Sequence, residues 1–341
     1  MLRMAPPTAL VTGGAGFIGS HAVDLLLARG YDVRVLDNLS GGREANLAHH
    51  KGDPALSCDW RDVCSIASND PMFAGVSLVL HFAGIGDIVP SIERPAEYMS
   101  VNVQGTVCVL EAARAAGVRK LVYAASSSCY GLAGTPTRED HPIAPQYPYA
   151  LSKYQGEQAC LHWHQVYGLP VNSIRIFNAY GTRSRTSGAY GAVFGVFLRQ
   201  KLARRPFTVV GDGTQRRDFL YVTDVAEAFL AAAETQLTGR IWNLGAGAPQ
   251  SVNRLVELLG GSRTAIPKRP GEPDCTWADI TRIRSELGWK PKVAFDQGVA
   301  RVLENIDYWK DAPLWDEQSI AGATETWFSF LSDRSKAGQR D

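Results

Sequence analysis

The chain has 341 residues, 45% of them hydrophobic and 20% charged, with a net charge of +1. That balance excludes a disordered chain, gives no bulk field to hold nucleic acid or an acidic membrane surface, and suffices for one large two-lobed unit or two joined domains. The six cysteines (Cys58, Cys64, Cys108, Cys129, Cys160, Cys275) form no CxxC pair, so no metal site is expected, and reduced thiols in a cytoplasmic protein fit them best.

The N-terminus, Met1 to Pro7, lacks the apolar run of a signal peptide. The longest uncharged apolar stretch, Thr186 to Leu198, is too short and too glycine-rich to span a bilayer. Ser335 to Asp341 reads as a disordered tail.

In chain order, Thr8 to Thr12 is a strand-like run entering Gly13-Gly14-Ala15-Gly16-Phe17-Ile18-Gly19, after which Ala22 to Ala28 has a helical pattern. Glycines at 13, 16 and 19, or 14, 16 and 19, let backbone approach a pyrophosphate at a helix N-terminus, where N–H groups and the helix dipole favour negative charge. The next strand, Asp32 to Leu36, ends in Asp37, placed as the acid that takes both ribose hydroxyls and repels a 2′-phosphate, which favours NAD over NADP. Leu56 to Trp60 reads as a further strand end, with Asp59 placed for an adenine edge.

Val76 to Phe82 is the continuous apolar run of a doubly buried parallel strand and leads into Ala83-Gly84. Pro95 to Ala116 reads as one helix carrying Asn102 and Gly105, and Val118 to Ala125 as a strand delivering Ser126-Ser127-Ser128-Cys129-Tyr130-Gly131 at its carboxyl end. Ligands sit at such ends in open α/β sheets.

A helix beginning at Pro148 puts Tyr149 and Lys153 on one face, i to i+4, where the ammonium favours the phenolate and lowers the phenol's pKa toward working pH. With Ser126 at the preceding strand end, the three side chains can converge. Regular alternation of strand and helix predicts a doubly wound parallel (Rossmann) α/β sheet with a smaller α/β part.

These residues together resemble the extended short-chain dehydrogenase/reductase family, among its NAD-dependent nucleotide-sugar epimerases and dehydratases, over Ala9 to about Asp307. The matching segments are Thr12 to Gly19 (cofactor loop, with Gly13, Gly16, Phe17, Ile18 and Gly19), Leu36-Asp37-Asn38 (ribose), His81-Phe82-Ala83-Gly84, Asn102 to Thr106, Ser126 to Gly131 and the YxxxK of Tyr149 to Lys153, with Asp59 and Trp60 as further cofactor-binding candidates. The resemblance implies Ser126, Tyr149 and Lys153 as catalytic residues. For the nucleotide-diphosphate sugar it implies Asn178 and Arg217 on the diphosphate, Arg269 on phosphate and Glu272 on the nucleotide ribose, with Ser127, Ser128 and Asp87 beside the sugar.

The 4,6-dehydratases carry an Asp-Glu pair directly after the catalytic Thr, where this chain has Ser127 and Ser128, so the resemblance favours a 4-epimerase with tightly held NAD. A dehydratase or a C3/C5 epimerase using Asp87 or Cys129 is the alternative, and a non-catalytic dinucleotide sensor the alternative of another class. Arg183 to Phe194 departs from the family's element near the base, and Thr276 stands where residue size admits or excludes a 2-acetamido group.

The expected division is a dinucleotide part over 1–177, rejoined by a strand near 241–244, a substrate part over 178–310, and a C-terminal helix and tail over 311–341 with Ile320, Ala323, Trp327 and Leu331 on one face. A homodimer through the helices near 96–116 and 149–167 is implied by resemblance, with no nucleic acid or membrane partner, and Trp163 and Val166 are candidates for that contact or for the core.

Overall fold

The structure, a computed structural model, describes residues 6–184 and 193–332. The Thr186 to Leu198 stretch lies partly, and the Ser335 to Asp341 tail wholly, outside those residues.

A seven-stranded sheet, parallel throughout, runs in the spatial order Arg240–Leu244, Val171–Ile176, Lys120–Ser126, Val76–His81, Thr8–Thr12, Asp32–Leu36, Leu56–Asp59. Successive strand residues point to opposite faces, and both faces are apolar. Ala9, Val11, Leu78, Leu80, Val122 and Ala124 face one core with Ala22, Leu26 and Phe229 of the helices Phe17–Ala28 and Val222–Glu234. Leu10, Val79, Leu121, Tyr123 and Ala125 face the other, with Val109, Leu110 and Cys160 of the helices Gly105–Ala115 and Pro148–Tyr167. This is the doubly wound fold. Strand order reverses between Thr8–Thr12 and Val76–His81, so the loops after those two strands flank the switch-point crevice.

A third core, built on Phe194, Phe197, Phe207, Phe219, Tyr221, Leu255 and Trp309, belongs to the smaller part, where Phe207–Val210 pairs with Arg263–Ile266. Chain and space do not divide at one point. Val222–Glu234 and Ile283 of the helix Thr281–Leu287 pack on the large sheet, because their apolar faces complete its first core.

The helix expected over Pro95 to Ala116 is present from Pro95 to Ala115, with a π-helical turn, Ser100–Gln104, between the α-helical segments Pro95–Met99 and Gly105–Ala115. The wide turn carries Asn102, 1% exposed, inward. Its amide donates to Ile85 O (3.0 Å) and Ser152 Oγ (2.9 Å) and its oxygen accepts from Ile85 N (2.9 Å), tying the loop after Val76–His81 to the helix that bears Tyr149.

Candidate active site

The glycine loop is tight enough to dictate its own composition. Gly13 has φ +69°, and a Cβ there would lie 2.7 Å from Ala83 N. A Cβ on Gly16 would press on Gly13 O at 3.0 Å, and one on Gly19 would collide with the same oxygen. The helix Phe17–Ala28 that follows has no side-chain cap and no acid in its first turn, leaving the N–H groups around Phe17 and Ile18 to a ligand. Across the crevice a Cβ on Gly84 would meet Asn102 Oδ1 at 2.8 Å. Phe82 turns its ring onto Phe229, 4.5 Å between centroids, and its N–H to Thr12 O, so its free polar group is the carbonyl.

Asp37 is buried at the tip of its strand, Oδ2 accepting from Ala15 N (3.0 Å) and Oδ1 from Leu39 N (2.8 Å). Burial raises its pKa above the ordinary carboxylate range and these two N–H groups pull it back. Each oxygen keeps a lone pair for a hydroxyl. Asn38 donates to Asp62 (2.8 Å), Asp59 is paired with Arg61 (2.6 Å), and Trp60 is 39% exposed beside them. A bare-backbone cradle, an uncapped helix and a buried acceptor-only acid fit a dinucleotide.

Ser126 ends its strand, Tyr149 lies in the first turn of the helix Pro148–Tyr167, and Lys153 follows one turn later. Pro148 starts this helix with its φ preset and no N–H to lose. Ser126 lies beside Tyr149 and acts to lower its pKa, and Ser126 Oγ donates to Ser128 Oγ at 3.0 Å while accepting from Ser128 N at 3.2 Å. Lys153, 7% exposed, sets Nζ 4.4 Å from the centre of the Tyr123 ring, and burial pushes its pKa down to about 8.

The sequence-based expectation that Lys153 lowers the Tyr149 pKa is not met in the protein by itself: Tyr149 is raised, chiefly by burial, with Asp87 adding to the rise and the Ser126 hydrogen bond opposing it. Desolvation of the phenolate outweighs its one donor. Asp87 is thus close enough to act on Tyr149, from the N-cap position of the short helix Ile88–Glu93. Cys129 is 2% exposed, and burial pushes its thiol up to about 12, unsuited to proton transfer near neutrality.

On the other wall, Asn178 opens the strand Asn178–Tyr180, which pairs with Phe219–Tyr221 two residues after Arg217. Thr276 Oγ1 donates to Asn178 Oδ1 (2.6 Å), leaving the amide N–H groups of Asn178 to point elsewhere. Arg217 donates to Glu272 Oε1 (2.7 Å) and Pro273 O (2.9 Å), and Arg269 stands 3.4 Å from the second Glu272 oxygen. A cavity of about 480 Å³ lies against Arg217, Lys268, Glu272, Gln215 and Asp212.

Sequence reasoning gave no role to three side chains found here. Tyr147 is set beside Ser128, its pKa pushed up to about 12 by burial. Tyr123 floors Lys153, and the fully buried Asp218 accepts from the N–H groups of Ala246 (2.9 Å) and Ala278 (2.9 Å), fixing the chain around Thr276. Two tyrosines at 147 and 149, flanking Pro148 at the helix start, were the available signal for the first. The others depend on long-range packing that no local pattern carries.

Among the described residues, one group of metal-type ligands lies together. His49 and His50 each hydrogen-bond Asp24 Oδ1 at 2.8 Å and Arg183 takes Oδ2 at 2.7 Å, an ion-pair cluster on the far side of the helix Phe17–Ala28.

A dinucleotide crevice beside a Ser–Tyr–Lys constellation, with a cationic wall facing it, defines the enzyme class of NAD-dependent short-chain dehydrogenase/reductase type. Residues 9–245 match the model of the NAD dependent epimerase/dehydratase family, and the chain belongs to that family, with NAD as its cofactor. It is 37% identical over 305 residues to the UDP-glucose 4-epimerase of Mycolicibacterium smegmatis, covering 86% of this chain and 97% of that one. Its fold superposes on the UDP-glucuronic acid 4-epimerase of Bacillus cereus, solved with UDP-glucuronic acid and NAD, with a TM-score of 0.82 at 28% identity over 88% and 99% of the two chains. The dTDP-glucose 4,6-dehydratase DesIV of Streptomyces venezuelae gives a TM-score of 0.82 at 30% identity over 89% and 99%.

Proposed function

We propose that the protein is a nucleotide-sugar 4-epimerase that oxidises C4 transiently to a ketone and returns the hydride to the opposite face. The observation that carries the reading is the stretch after Ser126: it presents the hydroxyls of Ser127 and Ser128, with no carboxylic acid to protonate a leaving C6 hydroxyl, and the thiol beside them is held protonated by burial. The names of the relatives support a UDP-sugar as the substrate class.

Bound NAD supplies a reversible hydride acceptor, held by Gly13, Gly16, Phe17, Ile18, Gly19, Asp37 and Gly84, with Asn38, Asp59, Trp60, Phe82 and Ala83 around it. The chain's own groups do the rest. Tyr149 as phenolate takes the C4 hydroxyl proton and later gives it back. Ser126 donates to the same oxygen as it becomes a carbonyl. Lys153, buried between Tyr123 and the crevice, supplies positive charge against the phenolate and donors for a ribose hydroxyl. Asn178, Arg217 and Arg269 hold the diphosphate while the keto-sugar turns over, and Glu272 takes the nucleotide ribose.

The proximity of Asp87 to Tyr149 favours, as a second reading, a further acid/base step at C3 or C5. The presence of Ser126, Tyr149 and Lys153 together argues against a non-catalytic sensor. For the oligomer, the helix Pro148–Tyr167, beside Gly105–Ala115, presents Val166 and Tyr167, 53% and 51% exposed, toward a homodimer contact. Trp163 instead packs inward and donates to Glu111 (2.6 Å).

Proton NMR with UDP-, GDP-, dTDP- and CDP-sugars in deuterated water tests the reading. Conversion of one sugar to its C4 epimer without deuterium uptake is expected. Deuterium at C3 or C5, or loss of water from C6, would replace the 4-epimerase by the multi-position or dehydratase reading.

A further inference from the structure

The helix Glu317–Leu331 lies beyond the residues matched by the family model, yet it reaches the substrate site. Its start is fixed by a capping box between Asp316 and Ser319. Its first half enters the core of the smaller part through Ile320, 4% exposed. Its second half buries Trp327 (4%) and Leu331 (9%) against Val89, Ile88 and Ile92, on the helix that follows Asp87. One helix therefore spans both walls of the site.

Trp327 is where the two walls meet. Its indole N–H donates to Pro270 O at 2.7 Å, and its ring faces the Arg269 guanidinium at 5.5 Å. On the other side it contacts the Tyr147 ring at 6.2 Å, which in turn lies parallel to Tyr149 at 6.4 Å. Residues 267–273 form no helix or strand, so side-chain ties decide their position.

We propose that Trp327 is a positioning residue of the active site, holding the Arg269–Glu272 loop over the nucleoside diphosphate and fixing Tyr147 behind Tyr149. This rests on the assignment of Arg269 and Glu272 to the nucleotide. Each tie has a distinct consequence. The indole N–H acts on the loop, hence on nucleotide affinity. The ring acts on Tyr147 as well, hence on turnover. Trp327→Phe keeps a ring and loses the N–H, while Trp327→Leu loses both.

The test uses the NAD-loaded, full-length enzyme. Amide hydrogen exchange is followed over residues 267–276, UDP and dTDP binding is measured by calorimetry, and kcat and KM are determined with the sugar identified by NMR. Loss of one buried hydrogen bond corresponds to roughly fivefold in affinity. Trp327→Phe is expected to speed exchange in that loop and weaken nucleoside diphosphate binding about fivefold with kcat held. Trp327→Leu is expected to weaken binding at least tenfold and to lower kcat as well.

Unchanged loop exchange and affinity in Trp327→Leu would overturn the proposal, as would losses that only track a lower unfolding temperature across both variants. A wild-type enzyme that binds neither nucleotide would remove the substrate assignment itself, and the proposal with it; the wild-type control separates that outcome from the others.

Discussion

The rings of Tyr147 and Tyr149 are parallel to within 7°, 6.4 Å apart, and the Ser128–Ser126 hydroxyl pair lies beside them, Ser128 acting on Tyr147 and Ser126 on Tyr149. With Tyr149 protonated, Ser126 donates toward Ser128. A phenolate at Tyr149 calls on Ser126 to donate to it instead, and Ser126, which already accepts from Ser128 N (3.2 Å), is then open to the Ser128 hydroxyl as a second donor, and Ser128 to Tyr147. Tyr147 is the terminal donor of that reversed chain. Tyr147→Phe removes it, and the acidic limb of the kcat/KM profile should move up by about one pH unit, with roughly tenfold lower kcat at neutral pH. An unmoved limb in the pH–rate profile would detach Tyr147 from the base.

Tyr149→Phe keeps the ring packing and deletes the proposed proton carrier. Turnover should fall by about a thousandfold or more while bound NAD, read from the cofactor released on denaturation, stays at the wild-type level. Ser126→Ala, which leaves the base in place and removes a donor to the developing oxyanion, should cost about a hundredfold. Wild-type turnover in Tyr149→Phe would refute the mechanism.

Lys153 carries a stability cost that its role explains. Its folded pKa, about 8, is below the 10.5 of an unburied lysine, so between those values the unfolded chain holds more protons and stability rises with pH. Below pH 8 the full cost of burying the ammonium is present, about 3 kcal/mol at 1.4 kcal/mol per pH unit. Lys153→Met should therefore unfold at a higher temperature than wild type at pH 7, lose that advantage as pH approaches 10.5, and be inactive. A variant less stable than wild type at pH 7 would show that the ammonium is stabilised in place.

His81 and His21 set the acid limit. His81 is fully buried between Thr12 Oγ1 (2.6 Å) and Thr106 Oγ1 (3.0 Å), and because Thr106 donates to Asn102 O, Nε2 of His81 donates to Thr106 and Nδ1 accepts from Thr12. Protonation would put a second donor where an acceptor is needed. Burial lowers His81 to about 3, and burial with Arg183 nearby lowers His21 to about 4. Both folded values lie below the 6.5 of free imidazole, so stability is fully present above pH 6.5 and declines as pH falls from 6.5 toward 4 and 3. Urea midpoints across that range should fall steadily, with a shallower slope in His81→Asn. A flat profile between pH 6.5 and 4 would contradict the neutral assignment.

The fold was legible because its signals are local. Apolar runs such as Val76–His81, the glycines at 13, 16 and 19, Asp37 at a strand end, and Pro148 before Tyr149 each act through neighbouring residues. What the sequence did not reveal depends on distant partners. The π-turn at Ser100–Gln104 exists because Asn102 is drawn to Ile85 and Ser152, whereas the apolar periodicity of Pro95 to Ala116 gives the helix without its wider turn. Arg217 and Glu272 were read as separate contacts to phosphate and ribose, and the fold brings them into one ion pair. The rise in the Tyr149 pKa follows from depth of burial, which an i,i+4 spacing does not encode.

Glu157 and Arg175 form an ion pair at 2.6 Å with side chains 1% and 4% exposed, directly beneath the strand that ends in Ser126. Arg175 also donates to the Tyr130 hydroxyl (2.7 Å), which donates to Asn243 (2.7 Å), so the pair links the helix of Tyr149, the strand Val171–Ile176 and the strand Arg240–Leu244. Desolvating both charges offsets much of their attraction, whereas removing one leaves the other buried and uncompensated. Glu157→Leu should therefore cost about 3–5 kcal/mol in unfolding free energy, and Glu157→Leu combined with Arg175→Met should cost less than the single change. Chemical denaturation of the two singles and the double closes the cycle. If the double variant is as unstable as the sum of the singles, the pair acts through two independent packing effects, and the electrostatic account of this core is wrong.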